Sequence, residues 1–134
     1  MEQELKAVPR DQPPAAFARA HVRAIGTAYL RFAQAEPGLF RTAFVISDEG
    51  HGEIGPGGVG ASGMGPFQLL GAAIDRLVDA GVLDPARRPG AEYFAWSAVH
   101  GLALLIIDGP LRDHDAEAVH ALGQRLIDMV ERGL

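Results

Sequence analysis

The sequence predicts an all-α fold of five or six helices, and three features of the 134-residue chain support this prediction. Apolar residues recur every three or four positions in most segments, which is the period of a helix that buries one face. No segment alternates apolar and polar residues convincingly, as a half-buried strand would. Prolines and glycines fall between the periodic segments, where helices begin and end. With a hydrophobic fraction of 48%, the chain can form the packed core of one domain.

The first predicted helix covers residues 13–36. It starts at a pair of prolines and ends before Pro37, because the residue preceding proline disfavours helix. Its core face contains Phe17, His21, Val22, Ile25, Tyr29 and Phe32, and its opposite face contains Arg19, Arg23, Thr27 and Gln34. A shorter helix is expected over residues 39–44, although the β-branched pair at 45–46 leaves a strand possible.

A glycine-rich segment, residues 47–65, comes next. Eight glycines between positions 50 and 65 make ordering costly and leave little apolar surface to bury in return, so we expect a mobile loop. The loop contains two matches to the dinucleotide pattern G-x-G-x-x-G, at 50–55 and 58–63. Neither match follows a credible buried strand, so we do not expect a nucleotide site.

Three longer helices are expected after the loop. Helical spacing returns at Pro66, and Gly81 suits the left-handed position that ends a helix. The next helix, near 90–108, is apolar almost all round, so it must be covered on two or more sides. The last helix, near 114–132, starts with acids that suit the positive end of a helix. One small subunit does not readily cover the helix at 90–108, which favours an oligomer.

Composition excludes several classes of protein. The net charge of −5, from 17 acidic and 12 basic residues, does not attract polyanions, so we expect no nucleic-acid binding by this chain alone. The absence of cysteine excludes disulfides and thiolate sites. The polar N-terminus is unlike a secretory signal, and the longest apolar run is too short to cross a bilayer. We therefore expect a cytoplasmic protein with no membrane partner.

Two groups of polar residues contain side chains that can bind metal ions, but neither group forms a complete ligand set. Glu117 and His120 have the E-x-x-H spacing of di-iron bundles, but the chain has no second copy of that motif. The Asp-His-Asp run at 113–115 suits the start of a helix better than a ligand set, because adjacent side chains diverge. We expect no metal and no cofactor.

His100 is the candidate for catalysis. A general base needs a nucleophile or substrate within hydrogen-bond reach and usually an orienting acid. Ser97 lies on the same helix, but nothing nearby marks an oxyanion hole. A lone histidine on an apolar helix is more often a hydrogen-bonded core residue that can offer a ligand one polar contact. We expect no catalytic residue, and a small enzyme using His100 in an internal cavity is an alternative.

The stretch WSAVHGLALLIIDG, residues 96–109, resembles the signature of the C-terminal regulatory domains of the tetracycline-repressor (TetR) family. It is similar to the type named for Trp, His and Gly, which are here Trp96, His100 and Gly101. Further matches occur in YLRFAQAEPGLFRTAF at 29–44 and in DAGVLDP before the signature helix. The resemblance covers residues from about 10 to 132 in the right order.

This resemblance implies an all-α domain whose last two helices pair with those of a second subunit in a four-helix bundle. It also implies an inducer pocket among the earlier helices. The helix-turn-helix module that precedes such domains is absent from the sequence, so residues 1–12 are expected to be a remnant of a linking helix and 13–134 the regulatory domain. The chain is then part of a longer repressor or a version without its DNA-binding module.

The expected function is effector binding and dimerisation in a TetR-like transcriptional regulator, with a small, mostly apolar effector and a homodimer. A ligand-free dimerisation module is a further alternative. Trp96 and His100 lie one turn apart on one helix face and are expected to face the interior. The expected ligand-binding residues are Phe32, Phe40, Phe44, Phe67, Leu70, Trp96 and His100. The expected dimer interface consists of Leu105, Val119, Leu122, Leu126 and Met129.

Overall fold

The structure, a computed structural model, describes residues 5–8, 12–46 and 65–134, and for 43–46 only the backbone. Within these ranges the α-helices are α1 (Pro14–Ala35), α2 (Pro37–Ile46), α3 (Pro66–Asp79), α4 (Ala91–Ile107) and α5 (Ala116–Gly133), and a 3-10 turn (Pro85–Arg87) precedes α4. The described residues contain no strand, which confirms the all-α prediction. The possible strand at 45–46 is instead the end of α2.

Two sequence predictions lie wholly or partly outside the described residues. Of the glycine-rich segment 47–65, only Gly65 is described, as the residue that precedes α3. Of the expected linking-helix remnant, residues 1–12, the structure describes 5–8 and 12, and Val8 is buried.

Local sequence signals account for the ends of α3. A proline occupies its first turn, where the missing N–H costs nothing. Gly81 follows its C-terminus with a φ of 75°, as predicted from the sequence. The Gly81 N–H donates to the Val78 carbonyl at 3.0 Å, and the Val82 N–H donates to the Leu77 carbonyl at 2.9 Å. These two bonds are those of a Schellman motif, which only a residue that tolerates a positive φ readily closes.

Helix α1 is the centre of the fold, because it contacts each of the other four helices. Its N-terminal half packs with α3 and the start of α4 in a first apolar cluster, whose largest members are Val22, Ile25, Leu70, Ile74, Leu77, Leu83 and Leu134. Its C-terminal half packs with α2, α4 and α5 in a second cluster: Tyr29, Leu30, Ala33, Phe40, Val99, Ala103 and Ile127. No helix among the described residues is long and apolar enough to cross a bilayer.

The face of α1 opposite its predicted core face packs against α5. Three polar pairs join the two helices: Arg19–Glu131 at 3.3 Å, Arg23–Asp128 at 3.2 Å, and Gln124 Nε2 to Thr27 Oγ1 at 3.2 Å. Positions along α1 rise as positions along α5 fall, so the two helices are antiparallel. This contact covers α1 on both sides and leaves it in the middle of the subunit.

Candidate functional site

Five ring side chains from four helices meet around Trp96. Tyr29 comes from α1, Phe40 from α2, Phe67 from α3, and Trp96 and His100 from α4. Trp96 and His100 lie one turn apart, so both project from the same face of α4. We call these five residues the aromatic site.

One hydroxyl group joins the polar atoms of the aromatic site. The Trp96 indole N–H donates to Tyr29 Oη at 2.9 Å. The same Oη lies 2.8 Å from His100 Nδ1. Tyr29 is only 7% exposed, so these bonds form away from bulk water. The hydroxyl therefore ties two successive turns of α4 to the middle of α1.

Ring contacts surround this hydrogen-bonded group. Phe40 stacks on the His100 imidazole, with ring centroids 5.2 Å apart and an angle of 28° between the planes. The same Phe40 meets Tyr29 edge-on at 5.6 Å. On the other side, Phe67 packs against Trp96 at 5.5 Å. Aromatic pairs in tilted and edge-on geometries contribute beyond their buried area, so the rings constrain one another.

Trp96 lies at the boundary between the two halves of the core. It is partly buried, and it packs against both the first and the second apolar cluster. A shift of the Trp96 side chain would therefore displace neighbouring residues in both apolar clusters, because packed interiors transmit displacement.

Burial keeps both titratable groups of the aromatic site neutral. It raises the pKa of the Tyr29 hydroxyl well above its usual value, and the hydrogen bond from Trp96 opposes this only in part. Burial also lowers the pKa of the His100 imidazole. In both cases a poorly solvated site disfavours the charged form. The site therefore offers hydrogen-bonding groups without net charge at neutral pH.

The structure brings together four of the seven residues expected to bind ligand: Phe40, Phe67, Trp96 and His100. Leu70 is buried in the first apolar cluster, and Phe32 packs on the second. The Phe44 side chain lies outside the described residues.

Tyr29 is the member of the aromatic site that sequence reasoning assigned only to the core face of α1. A signal was available, because a buried tyrosine hydroxyl usually finds a hydrogen-bond partner. Trp96 and His100 offered such partners on an otherwise apolar helix. The pairing itself spans 71 positions between Tyr29 and His100, and no local pattern reveals it.

The residues expected at a dimer interface fall into two groups. Leu105, Leu122 and Met129 are 45%, 42% and 63% exposed. Leu126, by contrast, packs partly on the second apolar cluster, and Val119 is 4% exposed inside the subunit. Val119 is therefore buried within one subunit, and its assignment to the interface stays a prediction.

The apolar stripe of α5 explains this difference, because it covers two faces of the helix. Val119, Gly123 and Ile127 are spaced by four and form the face buried within the subunit. Leu122 and Met129 are spaced by seven and form a neighbouring face that is exposed. The spacing of apolar residues in a sequence does not show which part of a stripe is buried within the subunit and which adjoining part is exposed.

Other candidate sites lie away from the aromatic site. Glu117 and His120 are exposed on α5, and the described residues contain no group of three or more side chains suited to hold a metal ion. A surface pocket of about 310 Å³ lies beside Arg19, Glu131 and Leu134. By the helical rise per residue, Arg19 is about 15 Å from Tyr29 along α1.

Comparison with known proteins places the chain in a family. Residues 22–130 match the family described as "Tetracyclin repressor-like, C-terminal domain". No curated protein and no solved structure matches the chain. The family match covers well over half of the chain and includes Tyr29, Trp96 and His100, which confirms the resemblance seen in the sequence. The chain therefore belongs to the tetracyclin repressor-like C-terminal domain family.

Proposed function

We propose that this chain is the effector-binding and dimerisation domain of a TetR-like transcriptional regulator, and that the effector binds at the aromatic site. Family membership supports the regulatory role. The position of the effector site is inferred from the hydrogen-bonded group of Tyr29, Trp96 and His100. This group joins two helices and is surrounded by ring side chains from four helices. A ligand that displaces these rings acts on α1, α2, α3 and α4 together.

The chemistry of the aromatic site favours a small, mostly apolar effector. Its phenylalanine and tryptophan rings offer apolar surface, and its two titratable members are kept neutral by burial. A charged ligand group would lose its hydration without gaining a charged partner from these five residues, which is costly. A few placed polar groups in an apolar setting are typical of small-molecule sites.

Regulation would follow from a shift between two arrangements of the helices. A ligand changes such an equilibrium only if it binds one arrangement more tightly than the other. Helix α1 runs from the aromatic site toward its own N-terminus, the end that in an intact cytoplasmic regulator of this kind is linked to the DNA-binding module. We expect residues 1–134 alone not to bind a specific duplex, since their net charge is −5.

The effector hypothesis is tested through Trp96, the single tryptophan of the chain. Native mass spectrometry of purified residues 1–134 should show a dimer that carries a small molecule lost on denaturation. A library of apolar compounds should then contain members that change the Trp96 emission, and Phe40→Ala should weaken their binding. A chain that carries no ligand and whose emission no compound changes would support the ligand-free dimerisation module instead.

Dimerisation is supported by the distribution of exposed apolar side chains. The described residues leave seven large ones exposed, and all but Leu39 lie on α4 or α5: Tyr93, Phe94, Leu104, Leu105, Leu122 and Met129. These two helices pack against each other, so their outer faces adjoin. Large exposed apolar patches usually mark an interaction surface. A second copy of the chain would cover both faces in a four-helix bundle.

Matched charge substitutions test this interface. Met129→Glu places a carboxylate on the outer face of α5, and we expect it to give a monomer in sedimentation velocity at tens of micromolar. Leu39→Glu is the control, because Leu39 is 46% exposed but lies on α2. This control should stay dimeric. Helix content measured for both variants shows that the subunit is folded, and a dimeric Met129→Glu chain would place the interface elsewhere.

The Tyr29–His100 contact favours an enzyme, because it places a second polar group within reach of His100. The groups are poorly matched to acid–base work at neutral pH, however. The raised pKa of Tyr29 makes its hydroxyl a weak acid, and the lowered pKa of His100 makes its imidazole a weak base. An activity that both Tyr29→Phe and His100→Asn abolish would favour the enzyme over the binding module.

A further inference from the structure

We infer that the exposed ion pair between Arg41 and Asp108 positions Phe40 in the aromatic site, and that opening of this pair admits the effector. Arg41 lies beside Phe40 on α2, and Asp108 directly follows the last residue of α4. The statement about the effector rests on the proposed function. The statement about the position of Phe40 does not, since it concerns only groups of this chain.

Two hydrogen bonds join the guanidinium group of Arg41 to the carboxylate of Asp108. Arg41 Nε donates to Asp108 Oδ2 at 2.9 Å, and Arg41 Nη2 donates to the other carboxylate oxygen. The pairing lowers the pKa of the Asp108 carboxyl group and raises the pKa of the Arg41 guanidinium. A bidentate pair fixes the relative orientation of two side chains as well as their distance.

Helix α2 therefore reaches α4 at two separate places. Phe40, which is 1% exposed, stacks on His100 with ring centroids 5.2 Å apart. Arg41 binds Asp108, eight positions further along, which corresponds to about 12 Å on a helix. A short helix attached at one point can pivot about it, whereas two separated contacts fix its direction. The Arg41 contact therefore limits the motion of Phe40 relative to His100.

The position of Asp108 supports a role outside α4. The C-terminal end of a helix carries partial negative charge, so a carboxylate there is unfavourable for the helix itself. The Asp108 N–H still closes the last turn of α4 by donating to the Leu104 carbonyl at 3.0 Å. Its carboxylate is bonded to Arg41 of α2, and Arg112 adds a weaker attraction. The pairing with α2 offsets the unfavourable position of this charge.

The same pair should oppose entry of a ligand. A molecule that inserts between Phe40 and His100 must separate α2 from α4, and this motion breaks the Arg41–Asp108 contact. The pair thus favours the arrangement without ligand, and apparent affinity falls when the arrangement that binds is only partly populated. Removing an exposed pair should therefore raise the affinity by up to about fivefold.

The position of Phe40 is measured through His100, because the ring current of a stacked phenylalanine shifts the ring-proton resonances of the imidazole. Spectra are recorded on the whole 134-residue chain, with His100 assigned from the signals that His100→Asn lacks. In Arg41→Gln we expect these resonances to move toward their values in Phe40→Leu. Arg112→Gln is the control, because it also removes a cation near Asp108 but lies outside α2, and it should leave His100 unchanged.

Charge exchange and salt separate the ion pair from a general loss of structure. Arg41→Glu combined with Asp108→Arg should restore the wild-type resonances of His100, and each single substitution should not. Screening acts over about 30 Å at 0.01 M salt and about 3 Å at 1 M. Raising the salt concentration between these values should shift the wild-type resonances in the direction seen for Arg41→Gln, and should affect Arg41→Gln less.

Two results would overturn the positioning role of the pair. One is a folded Arg41→Gln chain, by circular dichroism, whose His100 resonances equal those of the wild type. The other is an exchanged pair that behaves like the single substitutions. Should Arg41→Gln fail to fold, the salt titration of the wild type decides, and resonances that do not change with salt contradict this role.

Entry of a ligand is tested with N-phenyl-1-naphthylamine, an uncharged apolar dye whose emission rises in apolar surroundings. We expect Arg41→Gln to bind it about twofold to fivefold more tightly than the wild type, and Arg112→Gln to bind it as the wild type does. Equal affinity of all three chains would overturn the statement about entry. Should none of them bind the dye, the proposed effector site fails for apolar molecules of this size, and the statement about entry fails with it. The His100 resonances then still decide the position of Phe40, so the two failures are distinguished.

Discussion

A single hydroxyl group joins the polar side chains of the aromatic site. Tyr29 Oη accepts from Trp96 and lies at hydrogen-bond distance from His100, and both of those residues belong to α4. The ring of Tyr29 separately meets Phe40 edge-on. A phenylalanine at position 29 would keep this ring contact and remove the polar link, which makes the link measurable by itself.

Tyr29→Phe should lower the free energy of unfolding by about 1–3 kcal/mol, because the partly buried side chains of Trp96 and His100 each lose a hydrogen bond to the Tyr29 hydroxyl. Urea denaturation followed by circular dichroism measures the change. Tyr93→Phe, at a 59% exposed position, should change stability by less than about 0.5 kcal/mol. Equal effects of the two substitutions would mean that the buried hydroxyl contributes nothing specific.

His100 should make the stability of the fold depend on pH. Burial lowers its pKa, so the unfolded chain takes up a proton at a higher pH than the folded chain. The stability from neutral His100 is fully present above about pH 6.5, the ordinary value, and is lost as the pH falls through the folded-state pKa.

Urea denaturation at about pH 7.5 and about pH 5.5 measures this loss. His100→Asn keeps an acceptor near Tyr29 and should lose less stability between the two pH values than the wild type. His120→Gln, at an exposed position on α5, should behave as the wild type does. The same pH dependence in all three chains would show that other groups are responsible.

At the scale of the helices, α1 and α5 approach closely because each has a glycine at their contact. A methyl group added at Gly26 would lie 3.0 Å from Ile127 Cγ1. One added at Gly123 would lie 2.9 Å from Leu30 Cδ1. Both distances are shorter than ordinary van der Waals contact, so each glycine makes room for a large side chain of the other helix. Of the polar pairs that join α1 and α5, two lie toward the N-terminus of α1 from this contact, and the Gln124–Thr27 pair lies beside the glycines.

Gly123→Ala has two opposing effects on stability, one through helix propensity and one through packing. Alanine favours helix by about 1 kcal/mol relative to glycine. The added methyl group, however, must displace Leu30, which is 5% exposed and has little room to move. Overpacking costs about 1–3 kcal/mol. We expect a net loss of stability of about 1 kcal/mol by urea denaturation.

The matched control for this packing effect is Gly38→Ala. An added methyl group at Gly38 meets nothing within 4 Å. This substitution lies within α2 and should be neutral or stabilising. If Gly123→Ala is as well tolerated as Gly38→Ala, the close approach of α1 and α5 does not depend on glycine.

At the scale of the whole molecule, the outer face of α4 exposes apolar side chains, which supports the proposed dimer. Gly101 is exposed, and an added methyl group there would meet nothing within 4 Å. Packing inside the subunit therefore gives no reason for glycine at this position. Leu104 and Leu105, one turn further along, are 41% and 45% exposed. A helix of a second subunit that approaches over Gly101 would account for both features.

Gly101→Ala tests this explanation because its effects on the subunit and on the dimer have opposite signs. In a chain made monomeric by Met129→Glu, the alanine should raise the free energy of unfolding by up to about 1 kcal/mol. In the otherwise wild-type chain, it should weaken the dimer by about tenfold in sedimentation equilibrium, which corresponds to about 1.4 kcal/mol. A dimer of unchanged affinity would place the partner helix away from Gly101.

The sequence by itself determined the helices, their approximate ends and the family, because these depend on local features. The period of apolar residues, the prolines at helix starts and the left-handed Gly81 act over a few positions each. Trp96 and His100 could likewise be placed on one face of α4, because one helical turn separates them.

Only the tertiary structure decided how these faces are used. It linked Tyr29 to His100 across 71 positions, and it divided the apolar stripe of α5 into an inner face with Val119 and an outer face with Met129. The physical reason is that a helix sequence shows which residues share a face, whereas burial and hydrogen bonding depend on which other helix lies against that face. Antiparallel packing of α1 and α5 over Gly26 and Gly123 set that arrangement, and with it the apolar side chains that stay exposed on α4 and α5.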